Sequence, residues 1–308
     1  MPPTLDLTRR TVDRVDTTDE IREFLASRRA KITPARAGLS LYGRKRRVPG
    51  LRREEVALLA EISVEYYTRL ERGNLRGVPE DVLDGIATAL QLDEAERAHL
   101  IDLVRTANTT RPTRRRPTQE RVRPSVQRIL DSMTGTPAFV QNGRLDILYA
   151  NQLGYALLSE IFRDPVRPAN AARFFFLDPR ATEFYVEWES IANDVVALLR
   201  AEAGRDPYDR GLSDLIGELS TRSEEFRVRW AAHNVKLHRS GAKRFHHPLV
   251  GDLTLTYEAL ELPADTGQTM LVYTAEPDSP SHEALNLLAS WSSTPSDPES
   301  ADQLDDAP

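Results

Sequence analysis

Between Gly50 and Gly73 the chain reads GLRREEVALLAEISVEYYTRLERG, and its apolar positions set the pattern. Leu51, Val56, Ala57, Leu59, Ile62, Tyr67 and Leu70 recur at spacings that suit two short helices sharing one core. Ser63 stands where its hydroxyl can accept from the unpaired backbone N–H groups of the second helix. Gly73 ends that helix, because glycine enters the left-handed region at no steric cost. Ala57 is small enough to let the two helices approach, and Ile62 fills the corner between them. Upstream, Ile21, Phe24, Leu25 and Arg28 lie along one side of a helix predicted over 18–29. Downstream, Pro79 opens a helix with Val82, Leu83, Ile86, Ala89 and Leu90 on its apolar face. Asp93 with Glu96 three residues on has the form of a capping box, and starts a fifth helix that turns Ala95, Leu100, Leu103 and Val104 inward.

After residue 106 the pattern breaks into Thr, Pro and clustered Arg, the composition of a linker. A second set of elements follows. Val126, Ile129, Leu130 and Met133 mark one helix. Residues 137–149 read as strand, Asn142-Gly143 turn and strand, with both turn residues expected at positive φ. Helical spacing covers 152–161, 180–199, 212–219 and 223–230. The chain then returns to strands over 234–239, 243–248, 253–262 and 269–275. In LTLTYEALEL apolar and polar residues alternate, as one buried sheet face requires. The last hairpin turns at 264–267, and a closing helix over 281–291 packs back through Leu285, Leu288 and Trp291.

The expected organisation is therefore a lead-in over 1–17, an all-α domain over 18–107, a basic linker over 108–123, an α+β domain over 124–291 and an acidic tail over 292–308, with lead-in and tail disordered. Charge sharpens the division. The 308 residues carry a net charge of -6, but through residue 122 there are 24 Lys+Arg against 19 Asp+Glu, and beyond it 17 against 28. A basic first half attracts phosphates, and an acidic second half is repelled by them. The absence of cysteine removes disulfides and thiolate chemistry. No apolar run approaches the ~18 residues of a membrane span, and the first residues lack the apolar core of a secretory signal. These features set the expectation of a cytoplasmic protein.

Two short helices at this spacing are the helix-turn-helix arrangement, whose second helix presents side chains to the major groove. The segment resembles the lambda-repressor-like helix-turn-helix modules of the XRE type. That resemblance implies that Val64, Glu65, Tyr66 and Arg69 face bases and that Arg52, Arg53 and Asn74 meet phosphates. The turn of such modules usually carries glycine where this chain has Glu61, which either widens the corner or holds Glu61 at positive φ with some strain. Just before the motif, the run Arg44, Lys45, Arg46 and Arg47 can follow the phosphate backbone or enter the minor groove.

In the second half, an antiparallel sheet whose strands bracket several helices is the order of PAS-like sensor domains. The stretches FFLDPRATEFYVEWES, SEEFRVRWAAHNV, HHPLVGDLTLTYEALEL and LVYTAEPDSPS, together with GRKRRVPGLRREEVALLAEISVEYYTRLERG, resemble the MmyB-like transcription regulators over roughly residues 19–291. The resemblance implies a two-domain protein, an N-terminal helix-turn-helix bundle and a C-terminal PAS-like domain that senses a fatty-acid-like ligand. It also implies a transcription regulator that binds double-stranded DNA, and the habit of helix-turn-helix proteins implies a homodimer on two half-sites. The residues suited to an apolar pocket are Phe139, Leu148, Arg173, Phe174, Phe176, Trp230, His233, His247, Tyr257 and Tyr273. Arg173 or a histidine is placed to receive a carboxylate.

Other chemistry fits poorly. His233, His238, His246 and His247 cluster in sequence, but adjacent histidines in a strand point to opposite faces, and no carboxylate sits at ligand spacing. No metal or cofactor is expected. No G-x-S-x-G turn or parallel βαβ pattern supports a hydrolase, so no enzyme is expected. The competing reading is a DNA-binding adaptor or antitoxin whose second domain grips a protein.

Overall fold

Helices α1 (Thr17–Lys31), α2 (Arg53–Leu59), α3 (Val64–Glu71), α4 (Glu80–Ala89) and α5 (Glu94–Asn108) form where the apolar spacing places them. The computed structural model describes residues 17–39, 50–108, 120–232 and 240–292. The expected lead-in before Thr17, the run Arg44–Arg47, most of the linker, the strand over 234–239, His233 and the acidic tail beyond Ser292 fall outside these residues. Within α1, Ile21, Phe24 and Leu25 are fully buried, and they share one core with Leu51, Val56, Tyr67, Leu70, Ile86, Leu100 and Leu103. The capping box at α5 is reciprocal. Glu96 N–H donates to Asp93 Oδ1 at 2.8 Å, and Asp93 N–H donates to Glu96 Oε2 at 3.2 Å.

The chain continues through α6 (Pro124–Ser132), β1 (Ala138–Asn142), β2 (Asp146–Ala150), α7 (Gln152–Leu157), α8 (Ser159–Phe162), β3 (Ala169–Asn170), α9 (Ala171–Leu177) and α10 (Arg180–Phe184). Three helices follow, α11 (Trp188–Arg205), α12 (Arg210–Arg222) and α13 (Glu224–Ala231). Then come β4 (Ser240–His247), β5 (Gly251–Glu261), β6 (Gln268–Thr274) and α14 (Pro280–Ser292). Two compact units result: Met1–Thr118 with Glu189–Leu237, and Gln119–Trp188 with His238–Pro308. This differs from the domain order read in the sequence. Helices α11, α12 and α13, expected inside the second domain, group with the helix-turn-helix unit.

The second unit is built on a six-stranded antiparallel sheet in the order β3-β2-β1-β6-β5-β4. On one side α6 packs through Val126 and Leu130 against Ala138, Val140 and Met270. Val122 is buried in the same cluster and Arg123 pairs with Asp265 at 2.6 Å, so this unit begins before the expected Pro124. Asn151 joins the parts. Its Oδ1 accepts from Ala138 N–H and Gly154 N–H, and its Nδ2 donates to the Met133 and Thr136 carbonyls.

The first hairpin forms as expected, but its turn does not. Asn142 Oδ1 accepts from the N–H groups of Arg144 and Asp146, and the positive φ falls on Leu145, at 62°. The side chain of Asn142 holds the turn by these bonds, and Leu145 is buried, so packing holds it where glycine would be expected.

Candidate nucleic-acid interface and ligand domain

Glu61 resolves the question raised by the missing turn glycine. It adopts φ 54°, and the tight corner is closed by Glu61 N–H to Leu58 O at 3.3 Å and Ile62 N–H to Ala57 O at 3.0 Å. The corner keeps its shape, and a non-glycine residue bears the left-handed backbone. Ser63 then starts α3, its hydroxyl accepting from Tyr66 N–H at 3.0 Å. Gly73 closes it at φ 89°, packed so near Thr18 of α1 that a Cβ there would stand 2.3 Å from a methyl carbon.

These constraints turn one face of α3 outward. Val64, Glu65, Thr68, Arg69, Arg72 and Asn74 line an open groove of about 450 Å³. Four of these were expected at the DNA. Thr68 and Arg72 were not, although they follow Val64 at steps of four, the spacing that stacks side chains on one helix face. Tyr66 differs from the expectation of a purely base-facing residue. It is half-buried against the core of the first unit, and the Arg69 guanidinium lies 4.6 Å from its ring centroid. The aromatic ring thereby orients the arginine.

The expected phosphate residues have structural partners as well. Arg52 precedes α2 and its backbone N–H donates to Glu55 Oε2 at 2.7 Å. Arg53 donates from Nε to Glu71 Oε2 while its side chain stays half exposed. Asn74 is exposed beyond α3, its N–H donating to Arg69 O at 3.2 Å.

In the second unit the sheet face opposite α6 is aromatic. Phe139 stacks on Tyr273 at 6.1 Å, Tyr273 meets Phe245 at 5.8 Å, Phe245 meets Phe184 at 5.5 Å, and Phe184 meets Phe174 at 6.0 Å. Tyr257 joins through Tyr273 at 5.8 Å. Burial pushes the Tyr273 hydroxyl well above the ordinary tyrosine range. It accepts from Lys243 Nζ at 3.3 Å, and that ammonium also lies 4.6 Å from the Tyr257 ring centroid. Thus Phe139, Phe174, Tyr257 and Tyr273 are brought together. Sequence reasoning missed Phe184, Phe245 and Lys243, although Lys243 and Phe245 share the parity of buried His247 along β4.

Of the remaining pocket residues, His247 adjoins the set, its ring 6.2 Å from that of Phe184, and the others lie elsewhere. Phe176 packs edge-on to Trp188 at 6.2 Å. Leu148 packs with the α6-side cluster. Arg173 stands in the first turn of α9, where its backbone N–H is capped by Asn170 Oδ1 at 2.9 Å. Trp230 belongs to the first unit and stacks on Phe226 at 5.5 Å. His247 is buried with both ring nitrogens engaged. Nδ1 accepts from Leu249 N–H at 3.3 Å, which leaves Nε2 to donate to the Ala156 carbonyl at 3.1 Å. Burial lowers its pKa, so the ring is held neutral. A neutral imidazole bonded on both sides orders the backbone and has no nitrogen left for a carboxylate. Its neighbour His246 faces the other way, exposed, and meets Asp252 at 2.7 Å. Among the described residues no three His, Asp or Glu side chains group as metal ligands, and no helix is long and apolar enough to cross a membrane.

Fold and surface together define a helix-turn-helix protein carrying a second, α+β domain. Residues 20–100 match a helix-turn-helix domain, and residues 122–288 match the MmyB-like transcription regulator ligand binding domain. The second match spans more than half of the chain, and the protein belongs to the MmyB-like transcription regulators. It is a DNA-binding transcription regulator with a ligand-binding domain, and the matches point to a regulator rather than an enzyme. Comparison with curated proteins finds no match.

Proposed function

We propose that this regulator reads a specific operator through α3 and responds to a small apolar acid of fatty-acid type held on the aromatic face of its second unit. Val64, Glu65, Tyr66 and Arg69 read base edges. Arg52, Arg53, Asn74 and the run Arg44–Arg47 meet phosphates, which fix register without reading sequence. The protein works in the cytoplasm as a homodimer on two half-sites about one helical turn apart.

The observation that carries the ligand class is the connected set of Phe139, Phe174, Phe184, Phe245, Tyr257 and Tyr273, with the Lys243 ammonium against Tyr257 and Tyr273 and the Arg180 guanidinium over Phe174. An apolar wall with few polar groups is the usual make-up of a small-molecule site. The test is mass spectrometry of the gently purified full chain, denatured and extracted. A stoichiometric lipid-like acid supports the reading. A folded protein from which no apolar molecule is recovered, and which binds none of a C12–C18 fatty-acid series, contradicts it.

A further inference from the structure

Helix α11 lies within the span matched by the ligand-binding family, yet it is built into the core of the DNA-binding unit. Ala201 packs against the same apolar cluster that holds the helix-turn-helix together. Arg200 is fully buried, donating to Glu20 of α1 and to the Trp230 carbonyl of α13, with its guanidinium 4.1 Å from the Trp230 ring centroid. His99 of α5 completes the cluster, its Nε2 3.8 Å from Glu20 Oε1. Gly204 permits the close crossing, since a Cβ there would stand 2.6 Å from the His99 ring, and its carbonyl accepts from the Thr106 hydroxyl at 3.2 Å. A buried charge without its partner is costly, so α11 and α1 are strongly favoured to be docked together.

The other end of α1 holds the reading helix. Arg29, nine residues after Glu20 and so about 13 Å along the helix, donates to Glu71 of α3 at 2.7 Å and to the Leu51 carbonyl at 3.0 Å. Leu51 N–H in turn donates to the Arg29 carbonyl at 3.0 Å. Helix α1 thus has one buried acid–arginine pair facing α11 and a second facing α3.

We infer that Arg200 is a coupling residue: through Glu20 and α1 it lets α11, a helix of the ligand-binding family span, hold the reading helix in its DNA-binding position. A ligand that favours one placement of α11 then changes DNA affinity only in proportion to its preference for that placement. Arg200 touches no DNA and acts by position alone.

The test uses the full chain with Arg200→Met and, in case that variant fails to fold, Gly204→Ala, which wedges α11 against His99. Amide hydrogen exchange is followed in α1, α3, α11 and the β1–β6 sheet. Affinity is measured for a duplex selected by the wild-type chain from a random-sequence library and for a scrambled duplex. Faster exchange is expected in α11, α1 and α3 with the sheet unchanged, together with an at least fivefold loss of affinity for the selected duplex. Arg200→Lys, which keeps the charge, should recover part of it. Faster exchange confined to α11, or looser packing with unchanged affinity for the selected duplex, would overturn the inference. Failure of the wild-type chain to select any duplex would count against DNA reading itself, and exchange in α1 and α3 would still decide the coupling.

Discussion

Arg29 donates from Nε to Glu71 Oε1 at 2.7 Å, joining the last turn of α1 to the last turn of the reading helix. Glu71 is only 2% exposed, and its second oxygen accepts from Arg53 of α2. One carboxylate therefore ties α1, α2 and α3 together.

Glu71→Ala leaves Arg29 without its buried partner, and should destabilise the first unit by on the order of 3 kcal/mol. Arg53→Ala, at a half-exposed and solvent-screened position, should cost within about 1 kcal/mol. Denaturant melts of the two variants check this. Equal losses would mean that Arg53, not Arg29, is the partner that matters.

Glu61→Gly should stabilise the first unit by up to about 1 kcal/mol, because glycine relieves the left-handed backbone at φ 54° while adding entropy to the unfolded chain. A melting temperature that rises with DNA affinity unchanged is the expected result.

Arg69→Ala should reduce discrimination between specific and scrambled duplexes by roughly 1–3 kcal/mol, whereas Arg53→Ala should weaken both alike and flatten the salt slope. Affinities measured over a range of salt concentrations separate the two roles. The Tyr66 ring under Arg69 adds a further expectation: Tyr66→Leu should act in the same direction as Arg69→Ala, because it removes the surface that orients the guanidinium.

Glu20 governs a pH response. Burial by itself would raise its carboxyl, but the neighbouring His99 and Arg200 hold it down to about 2, below the ordinary 4.5. A carboxylate with a depressed folded pKa contributes stability that is complete above the ordinary value and is lost as pH falls through the folded one. The stability difference between wild type and Glu20→Gln should therefore shrink progressively as pH falls from about 4.5 toward 2. A difference independent of pH across that window would mean that Glu20 does not carry its charge against Arg200.

The helix-turn-helix was legible because the devices that cap and space its helices are short-range. Ser63 caps three residues ahead, Asp93 and Glu96 cap each other, and the apolar spacing of α2 and α3 has a clear period. Strand β5 was legible by alternation, whereas the two-residue β3 carries no pattern and was missed. The turn of the first hairpin was not, because the Asn142 side chain and the burial of Leu145 override the preference of Asn-Gly for positive φ. Helix α9 was missed since the consecutive Phe174, Phe175 and Phe176 are all buried and leave no amphipathic period. The grouping of α11 with the first unit was beyond the reach of local pattern. It depends on Arg200 finding Glu20, a pairing 180 residues apart in the chain. The expected carboxylate-receiving role of His247 was misread because a sequence cannot show that backbone groups occupy both of its nitrogens.

Whether α3 reads sequence is decided by selecting duplexes from a random library with the full wild-type chain and, in parallel, with Arg69→Ala. Enrichment of one defined motif by the wild type, degraded at particular base positions by Arg69→Ala, is the expected result. Binding by the wild type that enriches no motif, or a motif unchanged by Arg69→Ala, would contradict the assignment of the α3 groove as the sequence-reading surface.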